Sequence, residues 1–140
     1  MGNINLGRVV IGGLAAGFVI NFFEFLLNGV YFADTWPALM TARNLPAMQG
    51  GEILWFNVLG FASGIAAVWT YAAIRTRFGV GPRTAIIAAL QVWVVGDLLP
   101  DIVTAIVGVY PTGMTATIVI VGLVELVIGT LLGGYLYKEA

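Results

Sequence analysis

The sequence contains no cysteine and no histidine, and serine occurs once, as Ser63. The first absence excludes disulfides, thiolate metal sites and cysteine nucleophiles. The second removes imidazole ligands to zinc or haem and the commonest general base. No histidine- or cysteine-bound cofactor is therefore expected, and only a cation held by oxygen atoms stays open. A single serine argues against a serine hydrolase. Charge is scarce as well: Asp, Glu, Lys and Arg make up 9% of 140 residues, against about 25% in an average globular chain. A net charge of -1 gives no general attraction to nucleic acid, so no nucleic-acid partner is expected. With 60% hydrophobic residues and a mean hydropathy of +0.99, so small a chain could not solvate its surface in water. Its solvent is the lipid bilayer.

A bilayer core roughly 30 Å thick needs about 20 apolar residues in helical form. Four such stretches occur, at about 8–32, 52–74, 83–110 and 114–137. Together they predict an all-α integral membrane four-helix bundle, with residues 1–140 forming one transmembrane domain. In the long first connection, Pro37 is placed to open a short interfacial helix that runs to Arg43, and Leu45-Pro46 to stop it. Gly79 and Pro82 punctuate the second connection as a helix stop and start. Arg75, Arg77 and Arg83 place that connection on the cytoplasmic side. An even number of spans then puts both termini inside, with Arg8 and Lys138, and leaves only Arg43 outside. The expected location is an inner, or plasma, membrane. Arg8 precedes an apolar run in the manner of a secretory signal, but Ala15-Ala16-Gly17 is not followed by a polar stretch. An uncleaved span is expected.

Four acids fall inside these spans with no Lys or Arg among them: Glu24, Asp97, Asp101 and Glu125. On insertion scales one mid-membrane Asp costs roughly 2.5–3.5 kcal/mol, so four need neutralising by protons, a bound cation or a basic partner. Spacing at three and four residues gathers Gly13, Gly17, Asn21, Glu24 and Asn28 on one face of the first span. Asp97, Asp101, Thr104 and Gly108 line up on the third, Gly122, Glu125, Gly129 and Gly133 on the fourth, and Asn57, Gly60 and Gly64 on the second. Such faces look inward, toward protein or a water-filled cavity. Pro100 cannot donate to the Gly96 carbonyl and opens the helix there, which predicts a spare carbonyl beside Asp97 and Asp101, as in the cation sites of broken transporter helices. Glu24, Asp97, Asp101 and Glu125, with Asn21, Asn28 and Asn57, are the candidate binding or proton-coupling residues, and Gly96 and Pro100 the candidate helix break. The G-x-x-x-G pairs Gly13/Gly17, Gly60/Gly64 and Gly129/Gly133 read as packing inside the bundle. Met40, Met48 and Met114 read as packing methionines rather than thioether ligands to Cu(I).

Tyr71-Ala72-Ala73-Ile74-Arg75-Thr76-Arg77-Phe78-Gly79-Val80-Gly81-Pro82-Arg83-Thr84-Ala85, with Asn21-Phe22-Phe23-Glu24 and Gly133-Gly134-Tyr135-Leu136-Tyr137, resembles a group of small bacterial hypothetical membrane proteins over nearly the whole chain. The resemblance implies a four-span bundle in a bacterial inner membrane and carries no established activity. Glu24 alone gives a looser likeness, one of mechanism, to small multidrug transporters, four-span proteins that exchange protons for cations through a first-helix glutamate. The Asp97-x-x-x-Asp101 pair is similar to one metal-binding motif of intramembrane prenyl transferases but lacks its companion, so no enzyme is expected. Two functions follow: binding or transport of a cation, proton or cationic small molecule through the carboxylates, or a non-catalytic accessory subunit of a larger membrane complex. Either suits a homo-oligomer or a larger assembly.

Overall fold

A computed structural model describes residues 3–139. Every regular element among them is helical. Four helices are long and apolar enough to cross a membrane: Leu6–Tyr31, Gly50–Phe78, Pro82–Ile106 and Thr112–Leu136, here spans 1 to 4. Span 2 is longer than the hydropathy pattern indicates because both its ends are capped. Gln49 and Glu52 form a reciprocal capping box at the start. Gly79, at φ +89, takes the left-handed turn that ends it and returns its N–H to the Arg75 carbonyl at 2.9 Å. Span 3 stops earlier than expected, since Gly108 adopts φ +71 and Val109 N–H folds back to the Thr104 carbonyl, 2.8 Å. The short helix of the first connection runs Thr35–Ala42, with Pro37 in its first turn, where a missing N–H costs nothing.

The spans pack in a ring, span 1 against 2 and 4, and span 3 against 2 and 4, with a further contact between 2 and 4. Glycines set the distance on both sides of span 1. A Cβ at Gly13 would lie 2.5 Å from the Ile65 Cα, one at Gly17 2.6 Å from the Phe61 Cα, and one at Gly64 would collide with the backbone of Gly13 and Gly17. Toward span 4, a Cβ at Gly12 would meet the Gly133 carbonyl oxygen at 2.5 Å, and one at Gly129 the Ala16 oxygen at 2.9 Å. All three G-x-x-x-G pairs thus serve packing within the chain. Without a hydrophobic drive between helices in lipid, this close backbone approach is what dispersion needs to hold them.

Along the bundle axis the core falls into three layers. Val9, Ala16, Val68, Tyr71, Ala72, Ala85, Ala88 and Tyr137 fill one end, Ile20, Ala67, Ala89 and Leu126 the middle, and Leu27, Phe32 and Met114 the other end. At the first end Asn5 N–H donates to the Tyr137 hydroxyl, 3.2 Å. Arg75 there lies over the rings of Tyr71 and Tyr137, 5.6 and 5.0 Å to their centroids, and pairs with Glu139 at 3.4 Å. These contacts gather both ends of the described chain onto the last turns of span 2. Arg43 sits at the opposite end, over Tyr110 and donating to the Gly108 carbonyl at 3.4 Å. The outward faces carry large apolar side chains such as Phe18, Trp55 and Ile106, 68%, 67% and 78% exposed, which suit lipid and not water. Toward the Arg43 end span 2 is little covered, and each of residues 50–59 is exposed, Asn57 meeting span 1 through its carbonyl.

Candidate functional site

The four acids of the spans lie between the middle core cluster and the cluster of Leu27, Phe32 and Met114. Glu24 stands one turn beyond Ile20 on span 1, and Glu125 precedes the buried Leu126 on span 4. Their carboxyl groups lie close to each other between spans 1 and 4. Glu125 is 5% exposed, and its Oε2 is buried with no hydrogen-bond partner among the described residues. Asp97 and Asp101 project from span 3 close enough for their charges to act on Glu24. Asp97 lies against Gly122 of span 4, where a Cβ would be in ordinary van der Waals contact with its Cγ at 3.5 Å. No three acidic groups among the described residues come together in a way that could hold a metal ion.

Two departures from α-helical winding flank this layer. Span 1 continues past Glu24 as a π-helix over Phe25–Tyr31, closed by Phe32 N–H on the Leu27 carbonyl at 2.8 Å. Asn28 supplies a local cause, since its side-chain amide donates to the Glu24 carbonyl, 3.2 Å, which regular winding reserves for the Asn28 backbone. Span 3 widens into a π-helix over Val94–Leu98, closed by Leu99 N–H on the Val94 carbonyl. Pro100 therefore does not break span 3. The helix accommodates its ring by widening one turn earlier and resumes over Leu99–Ile106. Gly96 and Pro100 themselves are exposed, with open space beside Gly96.

The asparagines separate into two places. Asn28 belongs to the acids, its side chain donating to Glu24 Oε2 at 2.6 Å. Asn21 and Asn57 lie in the seam between spans 1 and 2, where Asn21 donates to the Asn57 carbonyl at 3.2 Å and its amide fills the space beside Gly60. Trp36 reaches from the surface helix to donate its indole N–H to Asn28 Oδ1, 3.0 Å. Trp93, near mid-depth, donates to the Val119 carbonyl at 2.9 Å and ties span 3 to span 4 one turn from the acids. Nothing in the local sequence marks Trp36 as a site residue, because its partner lies on a different helix. Met40 and Met48 line a 130 Å³ groove with Pro37 and Leu45, whereas Met114 is buried in the core cluster with Leu27 and Phe32. A larger cavity, 370 Å³, lies at the opposite end among Tyr71, Pro82, Leu131 and Tyr137. No protein family, curated protein or solved structure matches this chain.

Proposed function

We propose that this protein binds a cation, or a cationic small molecule, at the Glu24–Glu125 pair and exchanges it for protons across a bacterial inner membrane, with both termini cytoplasmic. The observation that carries the reading is the pair itself, a buried Glu125 beside a half-buried Glu24. Two carboxyl groups from different spans lie close together, two further acids stand nearby, and one buried oxygen of Glu125 has no hydrogen-bond partner among the described residues. An unsatisfied buried acceptor is costly, and a shared proton or a cation relieves both that cost and the mutual repulsion. Proton and cation therefore compete for the same oxygens, and one leaves as the other enters. Competition of this kind couples two fluxes when the site opens to each side of the membrane in turn.

The expected result is that Na⁺, K⁺ or tetramethylammonium, titrated into purified protein in weakly buffered detergent, releases protons, with affinity that rises with pH. Glu24→Gln and Glu125→Gln should each weaken that affinity by at least about tenfold, as loss of a hydrogen bond to a charged group does. Binding of these cations that ignored pH and survived both substitutions would overturn the reading. A second reading, as an accessory subunit of a larger membrane complex, is favoured by the exposure of each of residues 50–59 of span 2. Mild extraction that repeatedly yields the chain with no other protein counts against it.

A further inference from the structure

We infer that Asn28 is a positioning residue that couples the state of Glu24 to the docking of the surface helix, through a hydrogen-bond chain from Trp36 through Asn28 to Glu24. The inference rests on the reading of Glu24 as a group that gains and loses a proton or cation. Its geometry stands on two short contacts, Trp36 Nε1 to Asn28 Oδ1 at 3.0 Å and Asn28 Nδ2 to Glu24 Oε2 at 2.6 Å.

The direction of the chain is chemically determined. An indole N–H can only donate, so the end of the Asn28 amide that meets Trp36 must be its oxygen. The NH₂ end then faces Glu24, and Glu24 Oε2 must accept. As a carboxylate it accepts through a charge-assisted bond, about twice as strong as a neutral one. A proton on Oε2 changes the pairing, because Glu24 now presents an O–H that needs an acceptor. Two acceptors are near: the Glu125 carboxyl, which draws the Glu24 O–H away from Asn28, and the Asn28 oxygen itself. Turning it toward Glu24 aims the NH₂ group at the indole N–H, and two donors repel. A cation that draws Oε2 toward itself removes the same clamp. Either event weakens the hold on Trp36, which is also the ring that packs edge-on against Tyr110, centroids 5.7 Å apart, and so seats the Thr35–Ala42 helix on the end of the bundle.

The charged groups around Glu24 are Glu125 from span 4 and Asp97 and Asp101 from span 3. The surface helix contributes Arg43 at its C-terminal cap, held over Tyr110. Of the four acids, Glu24 is the one hydrogen-bonded to Asn28 among the described residues, and none bonds Trp36 directly, so Asn28 is the link between the two layers.

Fluorine NMR of protein carrying 5-fluorotryptophan tests the coupling, with Trp36→Phe assigning the resonance. In the wild type the Trp36 signal should move with pH between two limiting positions. Glu24→Gln keeps an acceptor oxygen for Asn28 but does not titrate, and should hold the signal at its high-pH position. Asn28→Ala should abolish the pH-dependent displacement and leave the signal near its low-pH position. A Trp36 signal that is independent of pH in the wild type, or that moves equally in Glu24→Gln, overturns the inference. If the signal stays fixed while Na⁺ binding still depends on pH, the coupling fails and the proposed function stands. If the signal responds as expected while none of the tested cations binds, the coupling stands and the proposed function fails.

Discussion

At Gly64 a methyl group would enter the backbone of Gly13 and Gly17, whereas at Gly96 it would meet nothing within 4 Å. Both glycines lie in apolar helices, and sequence alone gives each the same propensity cost of about 1 kcal/mol relative to alanine. Contact decides between them. Gly64→Ala should destabilise the bundle by about 1–3 kcal/mol, the range for overpacking, while Gly96→Ala should be neutral or stabilising. Thermal unfolding in detergent, followed by far-UV circular dichroism, orders the two. Equal melting temperatures would mean that spans 1 and 2 do not meet at this seam. The acids follow the same logic. Their depth and helical phase were legible in the sequence, so Glu24, Asp97, Asp101 and Glu125 could be placed near one level. That Glu24 meets Glu125 while Asn21 and Asn57 pair elsewhere depends on the rotation of each span about its axis, which the glycine seams set.

Proline in a helix and the acids beside it gave the third span its expected opening, and the opening took the form of a π turn rather than a break. A wider turn keeps nearly all backbone groups bonded, which lipid demands, while it makes room for the proline ring. Pro100→Ala restores the N–H and removes the ring, so Val94–Leu98 should rewind toward α-helix. Full interior proline costs are about 3 kcal/mol; because the π turn already absorbs much of this, a stabilisation on the order of 1 kcal/mol is expected. The rewinding also turns Asp97 relative to spans 1 and 4, so cation-induced proton release should fall as the melting temperature rises. Raised stability with unchanged proton release would detach the π turn from the acids. The matching turn in span 1 has no proline, and its cause, the Asn28 amide on the Glu24 carbonyl, is a side-chain choice that hydropathy cannot reveal. The surface helix was legible to within two residues from Pro37 and Pro46, but its attachment through Trp36 was not, since that requires knowing where Asn28 points.

For the whole molecule, both ends of the described chain lie together with Arg75, and Arg43 lies at the opposite end beside Gly108. If the basic end is cytoplasmic, the absence of cysteine gives a direct test of sidedness. In right-side-out membrane vesicles, Thr41→Cys should react with a membrane-impermeant maleimide, and Thr76→Cys only after the membrane is opened; both positions are exposed. The reverse pattern would invert the topology. Composition by itself determined the solvent, because a chain with 9% charged residues cannot hold water on its surface. The length of its apolar runs determined the number of spans, because backbone groups in lipid are satisfied only by continuous helix. Tertiary structure decided which acids meet, where the helices widen and what Trp36 holds. Those depend on how closely glycine lets neighbouring spans approach and on the axial rotation each then adopts, and a periodic pattern fixes only which residues share a face.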